Sequence, residues 1–439
     1  MNNHRLLTGL FCVALCSSQV WAVGSSHRVV TLEQLFDIAE SNSVQLRPSL
    51  TACEEANREL SIARSQRLPD VNANLSLSYL GDGFTTNRSF SDVSKAPIPH
   101  FGNGLSIDVS QPIYAGGAIN ASIDLAELKT SASRLTADSQ RDAIRFQLTT
   151  FYLDIFKYNN LRGVIVSNID RARKILDEMH ARYDNGVALQ NDITRYELLL
   201  SNLELQLVKI DNYLNITNRN LVVTVGLDEN TVIVPDSAIL TRSLPSEAES
   251  WWQKEATINS PALALAQSGV DMSRKTEKLA KSDMLPKVNL LARWTIDGPI
   301  LVEVPPINRN LSYWFVGVGV NYNIGSLYKG NKTVAKSKVA TQVAEQKYEA
   351  VSENLSLDIR RDYLNYLEAY EELKTQEKSV ELSTRNYQTI STRYSAGMAL
   401  ITDMLDAANS RLDAEQRLVN ARINIIQCYY TLLFKSGKI

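Results

Sequence analysis

One eleven-residue pattern occurs twice in this chain, 211 residues apart. The first copy, at 182–192, reads RYDNGVALQND, and the second, at 393–403, reads RYSAGMALITD. Arg-Tyr, Gly, Ala-Leu and Asp occupy the same offsets in both copies. Each copy lies between long helical patterns, and glycine is the residue that most often ends a helix. We therefore expect each copy to be the turn between two antiparallel helices, and the matches indicate an internal duplication.

The helical patterns on either side of these turns are unusually long. No proline occurs from Ala118 to Tyr183, and apolar residues recur there at alternating three- and four-residue spacing. About 66 residues of helix would span roughly 100 Å, which exceeds the width of a compact domain, so the helix is expected to be a coiled-coil element. A second long helix is predicted from about 332 to 394. The returning helices are predicted to end near 225 and 435.

Four shorter segments alternate apolar and polar residues, as half-buried strands do. They lie at about 70–80, 104–114, 287–297 and 312–323. Their length suits a tilted span of a bilayer, with one face toward lipid and the other toward a wet lumen. Four strands cannot close on themselves, and an open edge in lipid costs several kcal/mol for each unpaired backbone group. Either the strands form a soluble sheet, or several chains combine them, and three chains would give twelve.

The first residues read as a secretory signal peptide. Arg5 is followed by an apolar core at 6–15, and Val20-Trp21-Ala22 is a small-x-small cleavage site, so we expect residues 1–22 to be removed. A lipoprotein signal needs a small residue before its cysteine. Leu15 precedes Cys16 and Phe11 precedes Cys12, so this alternative is rejected.

Composition adds three expectations about the exported chain. The formal net charge is −2, without the basic excess that would favour nucleic acid as a partner. After residue 22, no run of about 18 apolar residues is long enough for a transmembrane helix. Cys53 and Cys428 remain, and we expect two buried or half-buried thiols. A disulfide would require their Cα atoms to lie within about 7 Å of each other.

These elements divide the chain into two similar halves. Each half is predicted to contain a helix, two strands, a long helix, a turn and a shorter helix. The predicted division is a signal peptide at 1–22, a first repeat at 23–225 with its long hairpin at 118–225, an equatorial linker at 226–261, and a second repeat at 262–439 with its long hairpin at 331–436.

The sequence offers no arrangement of residues typical of catalysis. The histidines have no second histidine or cysteine at ligand spacing, and no Gly-x-Ser-x-Gly motif occurs. The segment 325–333, GSLYKGNKT, imitates a phosphate-binding loop, but Asn331 displaces the lysine by one position. We expect turn glycines there. The sequence thus predicts no enzyme, no cofactor and no metal site, and the energy for any transport must come from a partner.

The layout resembles the TolC-like outer-membrane efflux protein family, also called outer membrane factors. The resemblance rests on the two turn motifs, on Leu-Pro before the first strand of each half, on QPIYAGG at 111–117 and on TDMLDA at 402–407. It covers essentially the whole mature chain. It implies a homotrimer embedded in outer-membrane lipid, in which a twelve-stranded β-barrel continues into a twelve-helix periplasmic tunnel. The fold class expected is therefore mainly α with membrane β.

The resemblance also implies a function. Such a protein is the exit duct of a tripartite efflux or type I secretion system. Its implied partners are a periplasmic adaptor and an inner-membrane transporter of the resistance-nodulation-division or ABC type. A second hypothesis from the residues alone is a secreted trimeric coiled-coil structural protein or adhesin without a pore.

The resemblance assigns a gate to the periplasmic tip, closed by hydrogen bonds and ion pairs between neighbouring hairpins. Tyr394 matches the gating tyrosine, and Asp192 with Asn191 matches its partner site. Asp403 and Asp406 match a ring of acidic groups facing the lumen, which would favour cations. The alternative reading of these acids is that they only stabilise the helix dipole from solvent, at about 0.3–1 kcal/mol each.

Two further expectations concern the turns themselves. The residues expected to dock the adaptor are Gly186, Leu189, Gly397 and Leu400. This chain departs from the family at Ala399, where an arginine would supply a gating ion pair. Arg195 is a candidate to replace that arginine.

Overall fold

The computed structural model describes residues 27–241, 244–245, 247–303 and 305–439. The predicted signal peptide, 1–22, lies outside these ranges. The chain is mainly helical, with one four-stranded sheet. In chain order the elements are β1 His27–Val30, α1 Leu32–Asn42, α2 Arg47–Ser65, β2 Asp70–Tyr79, β3 Gly83–Thr85, β4 Ser94–Ala96, β5 Phe101–Tyr114, α3 Ala118–Asp184, α4 Gln190–Val225, β6 Val232–Pro235, α5 Ala238–Thr241, α6 Glu249–Asn259, α7 Pro261–Ser282, β7 Lys287–Gly298, β8 Leu311–Asn321, α8 Ser326–Ser395 and α9 Ile401–Lys435.

The two longest helices, α3 with 67 residues and α8 with 70, run the length of the helical part. In the half nearer the turns, here called the tip half, α3 packs between α4 and α9, and α9 packs against α8. The four helices therefore lie side by side in the order α4, α3, α9, α8, and this single layer of helices is here called the wall. Arg173 Nη2 lies 2.9 Å from Glu204 Oε1 between α3 and α4, and Asn168 Nδ2 donates to Glu415 Oε2 at 3.0 Å between α3 and α9.

In the half nearer the sheet, here called the sheet half, α3 has different neighbours. It packs against α2 and α7, and α7 packs against α8. Thr130 Oγ1 donates to the carbonyl of Ala56 in α2 at 3.1 Å, and Lys275 Nζ in α7 lies 2.7 Å from Asp124 Oδ2. Among the helices that the structure describes, the wall is four helices wide in both halves, and α3 and α8 alone pass through both.

The sheet has the strand order β2-β5-β7-β8, and every pair is antiparallel. One face carries most of the apolar residues of the four strands. The other face is more polar, although Leu291, Tyr313 and Phe315 also lie on it. On this second face Asp108 bonds Arg293 and accepts from Ser106 Oγ at 3.0 Å and from Asn74 Nδ2 at 3.3 Å. Within the described residues, β2 and β8 each pair on one side alone. The sheet therefore ends in two open edges.

A parallel strand pair that the sequence analysis did not anticipate lies beside the middle of α3. His27–Val30 pairs with Val232–Pro235, which lies in the region predicted as an irregular linker. The Tyr152 hydroxyl joins this pair to α3, because it donates to the carbonyl of Val30 at 2.9 Å and accepts from the Asp236 amide at 2.7 Å. Burial raises the pKa of Tyr152 to about 12, so the phenol stays protonated as a donor.

Several predicted boundaries differ from the structure. The second strand begins at Phe101 rather than 104, Pro112 lies inside it beside a register shift, and the fourth strand ends at Asn321 rather than 323. The second long helix begins at Ser326 rather than 331 or 332. Gly330 suggested a turn, yet it lies within the helix. A Cβ at Gly330 would lie 2.7 Å from a side-chain carbon of Met284, so the glycine permits close packing.

Two smaller observations complete the fold. Cys53 and Cys428 are both free and half-buried, and burial is the main cause that raises the pKa of the Cys428 thiol. Among the helices that the structure describes, none combines the length and the apolarity needed to cross a membrane.

Candidate gate at the helical tip

The turn between α3 and α4 is a Schellman motif. The Gly186 amide donates to the carbonyl of Tyr183 at 2.8 Å, and the Val187 amide donates to the carbonyl of Arg182 at 2.9 Å. This pattern needs a left-handed residue after the helix, and Gly186 supplies it with φ +73°. The two bonds satisfy carbonyls that the end of α3 would otherwise leave unpaired.

The turn between α8 and α9 repeats this geometry. The Gly397 amide donates to the carbonyl of Tyr394 at 3.0 Å, and the Met398 amide donates to the carbonyl of Arg393 at 2.8 Å. The φ of Gly397 is also +73°. The similarity noticed in the sequence is thus a similarity of backbone conformation.

The returning helices begin four residues after each glycine. Leu189 and Leu400 have extended backbones and precede α4 and α9. Asp403 stands three residues inside α9, and its Oδ2 accepts from the Leu400 amide at 3.1 Å, so this carboxylate caps the helix. Asp192 holds the corresponding place in α4, where its amide donates to the Leu189 carbonyl at 3.0 Å.

Both turns present apolar side chains to solvent. Leu189 and Leu400 are each 69% exposed, and Val187 and Met398 beside them are also exposed. The glycines have open space where a Cβ would stand. Apolar residues at the end of a rod this long form a surface suited to a protein partner.

Arg182 joins the two turns. Its Nη1 donates to the carbonyl of Tyr394 at 3.3 Å, its Nη2 donates to the carbonyl of Ser395, and its Cζ lies 5.8 Å from the centroid of the Tyr394 ring. A guanidinium at the C-terminal carbonyls of a helix is favoured by charge and by hydrogen bonding. Arg182 therefore caps α8 from the first hairpin.

The predicted gate residues Tyr394 and Asp192 lie close enough for the charge of Asp192 to act on the Tyr394 phenol, and their role as a gate stays a prediction. Tyr394 is half-buried, and burial is the first cause that raises its pKa, followed by the negative charge of Asp192. Asn191 and Asp406 are exposed. Their assigned roles, and the lumen-facing role of Asp403, stay predictions.

The predicted replacement for the missing arginine has a different environment. Arg195 lines a cleft of about 420 Å³ between α4 and α9, beside Leu405 and Asn409, and has no ion pair within the described ranges. Arg182 is the arginine that contacts Tyr394. The sequence showed Arg182 as part of the repeated motif, but its contact lies 212 residues away and no local pattern indicates it.

Above the turns, a half-buried polar cluster joins the hairpins to each other. The Glu415 carboxylate accepts from Arg411 Nε at 2.9 Å and lies 3.4 Å from Arg171 Nη2, and the Arg411 guanidinium lies 5.0 Å from the Tyr387 ring centroid. Burial raises the pKa of Tyr387 and of Tyr196, which share a hydrogen bond. The cluster joins α3, α4, α8 and α9. Among the described residues, no group of His, Cys, Asp or Glu could hold a metal ion.

Comparison with known proteins places this architecture among outer-membrane proteins. A family model described as outer membrane efflux protein matches residues 35–227 and 252–437. Pyoverdine export outer membrane protein OpmQ of Pseudomonas putida is 21% identical over 407 residues, which are 91% of this chain and 84% of that protein. Outer membrane protein TolC of Escherichia coli is 20% identical over 412 residues, 90% of this chain and 80% of that protein.

A solved structure of the outer-membrane channel OprN has the same fold. It superposes with a TM-score of 0.77 at 15% identity, and the match covers 93% of this chain and 90% of that chain.

Proposed function

The chain belongs to the outer membrane efflux protein family, and on this premise we propose that three copies form one closed duct that is gated at the helical tips. The protein is an outer-membrane efflux channel, the exit duct of an export system, and the family consists of channels rather than enzymes. The proposal adds how the duct is assembled, where it closes and what it contacts.

The four-stranded sheet carries this proposal. In the described residues it has a predominantly apolar face, a more polar face and two open edges. In lipid each unpaired edge group costs several kcal/mol, so a stable sheet there needs both edges paired. Pairing β8 of one copy with β2 of the next gives a twelve-stranded barrel from three copies, with the apolar faces toward lipid and Asp108 and Arg293 toward the lumen.

The helices support the same number of copies. The wall of one copy is four helices wide in both halves, so three copies give a twelve-helix tunnel. Its two bounding helices in the tip half, α4 and α8, carry exposed apolar residues that a neighbouring copy would cover. The exposed apolar residues are Leu198, Leu205 and Ile216 on α4, and Leu357, Leu364 and Leu382 on α8.

Internal duplication completes the assembly. The two hairpins share the 211-residue offset and the same Schellman geometry at their turns. We propose that the first repeat spans 23–225 and the second 262–439. With two similar hairpins in each copy, three copies form a ring of six.

The ring of tips forms the gate. We propose that the Arg182 cap, with Tyr394 and Asp192, holds it closed, and that Asp403 and Asp406 line the opening. Gly186, Leu189, Gly397 and Leu400 would dock a periplasmic adaptor, through which an inner-membrane transporter supplies the energy. OpmQ, by its name, exports pyoverdine. A small organic cargo is the corresponding proposal here.

Two measurements test the assembly. Detergent-purified protein should have three times the mass of the mature chain by light scattering, and it should form pores in planar bilayers. A monomer would contradict the trimer. A trimer that conducts nothing would instead support the structural or adhesin hypothesis.

Docking at the tips is tested separately. Cysteines placed at Leu189 and Leu400 should cross-link to the adaptor, whereas a cysteine at Phe90 in the β3–β4 loop serves as the control. Cross-linking from Phe90 alone would refute the docking assignment.

A further inference from the structure

The Arg182 cap has a counterpart that a single copy cannot form. Adding the 211-residue offset to Arg182 gives Arg393, and the residues equivalent to Tyr394 and Ser395 are Tyr183 and Asp184. In the structure Arg393 is exposed, and its guanidinium has no partner among the described residues. A cap between two copies requires the proposed trimer.

The order of helices shows where the counterpart would form. In the tip half of one copy, α3 of the first hairpin meets α9 of the second. The open sides of this wall are α8 and α4. When the ring closes, α8 of one copy meets α4 of the next. The internal repeat relates α3 to α8 and α9 to α4. The contact of α8 with α4 between copies is therefore equivalent to the contact of α3 with α9 within a copy.

The end of α3 has the acceptors that this contact needs. The carbonyls of Tyr183 and Tyr394 occupy the same place in identical Schellman motifs. Arg182 covers the Tyr394 ring, while the Tyr183 side chain is 45% exposed in the single copy. An arginine from a neighbouring copy would cover it in the same way.

One difference between the two ends favours a cationic neighbour. Asp184 is the last residue of α3, and Ser395 is the last residue of α8. A carboxylate at a helix C-terminus is unfavourable because the macrodipole is negative there. A guanidinium beside Asp184 would offset that cost and would also form a charge-assisted pair.

We propose that Arg393 of each subunit caps the C-terminus of α3 in the next subunit, binding the carbonyls of Tyr183 and Asp184 and the Asp184 carboxylate. The closed tip then contains six arginine caps. Three lie within subunits through Arg182, and three lie between subunits through Arg393. The caps between subunits include the Asp184 carboxylate, whereas the caps within subunits bind backbone carbonyls. The caps between subunits should therefore be more sensitive to ionic strength than those within subunits.

Cross-linking tests this arrangement directly. In a Cys53→Ser, Cys428→Ser background, Arg393→Cys with Asp184→Cys should join subunits when treated with a short bismaleimide, giving dimers and trimers on a denaturing gel. The matched pair Arg182→Cys with Ser395→Cys should consume its thiols without forming dimers.

The outcomes separate this inference from the proposed assembly. A particle that is trimeric by light scattering, in which the Arg393→Cys and Asp184→Cys pair stays monomeric on the gel, overturns the cap and leaves the trimer. A particle that is monomeric by light scattering overturns the trimer itself.

Pore recordings give a second readout. Arg393→Gln should raise the fraction of time that the pore is open by roughly tenfold, the effect of losing about 1.4 kcal/mol. In Asp184→Asn, the open fraction should respond less to added salt than in the unmodified protein. An open fraction of Arg393→Gln equal to that of the unmodified trimer would overturn the proposal even if cross-links form.

Discussion

Replacing Arg182 with glutamine should open the tip. The change removes the guanidinium that donates to the carbonyls of Tyr394 and Ser395 and that lies over the Tyr394 ring. A bond from a charged donor contributes about 1.5–3 kcal/mol, and we take about 1 kcal/mol for each of the two because the site is partly exposed. The cation–π contact adds about 0.5–1 kcal/mol. The loss is roughly 2.5–3 kcal/mol per cap, or roughly 60- to 150-fold for each cap in the equilibrium between closed and open.

The assay is single-channel recording in planar bilayers, with the fraction of time spent open as the measured quantity. Arg195→Gln is the matched control, because Arg195 is a nearby exposed arginine in the cleft between α4 and α9. Arg182→Lys should fall between the control and Arg182→Gln, since an ammonium keeps the charge without the planar fork. Equal open fractions for Arg182→Gln and Arg195→Gln would refute the assignment of Arg182 to the gate.

Three further changes test the site and the fold. Tyr394→Phe together with Asp192→Ala should raise single-channel conductance, because contacts between the hairpins are lost. Asp403→Asn with Asp406→Asn should weaken block by multivalent cations, measured in the same recordings, because the carboxylates proposed to line the opening are removed. Asp142→Asn should raise the thermal unfolding midpoint at neutral pH. Burial raises the pKa of the Asp142 carboxyl in the folded protein. The stability contributed by this carboxyl is therefore fully present below the unfolded pKa of 3.8 and is lost as the pH rises through the pKa of the folded state.

Each of these changes has a result that would count against it. Unchanged conductance would exclude Tyr394 and Asp192 from the latch. Persistent cation block would mean that Asp403 and Asp406 lie away from the opening. For Asp142→Asn, the gain should shrink in acid. An equal gain at neutral pH and below pH about 4 would show that the charge of Asp142 is not its cause.

Periodicity was the reliable guide to the long elements. The apolar spacing in α3 and the alternation in β2 extend over many residues, so tertiary contacts shift their ends without changing their type. The turns were also predictable, because Gly186 and Gly397 are needed for a positive φ. The positions of Tyr394 and Asp192 near each other followed from the family resemblance rather than from any local pattern.

What the sequence did not reveal depends on distant partners. The strand His27–Val30 is four residues long and pairs with residues some two hundred positions away, so neither segment carries a recognisable pattern alone. Gly330 favoured a turn in the sequence because the neighbour that requires a small residue there, Met284, lies 46 positions away in the turn after α7. The Arg182 cap belongs to the same class, since its acceptors are backbone carbonyls that any residue could supply.

The change of neighbours along α3 has a mechanical consequence. Of the four helices in the tip half, α4 and α9 end near the middle of the molecule, and α2 and α7 take their places beside the sheet. Among the described helices, α3 and α8 are the two that connect the turns directly to the strands. The parallel pair anchored by Tyr152 lies beside α3 at that crossing point. We therefore expect a torque applied at the turns to travel mainly along α3 and α8, so that the end with the turns twists more readily than the end with the sheet.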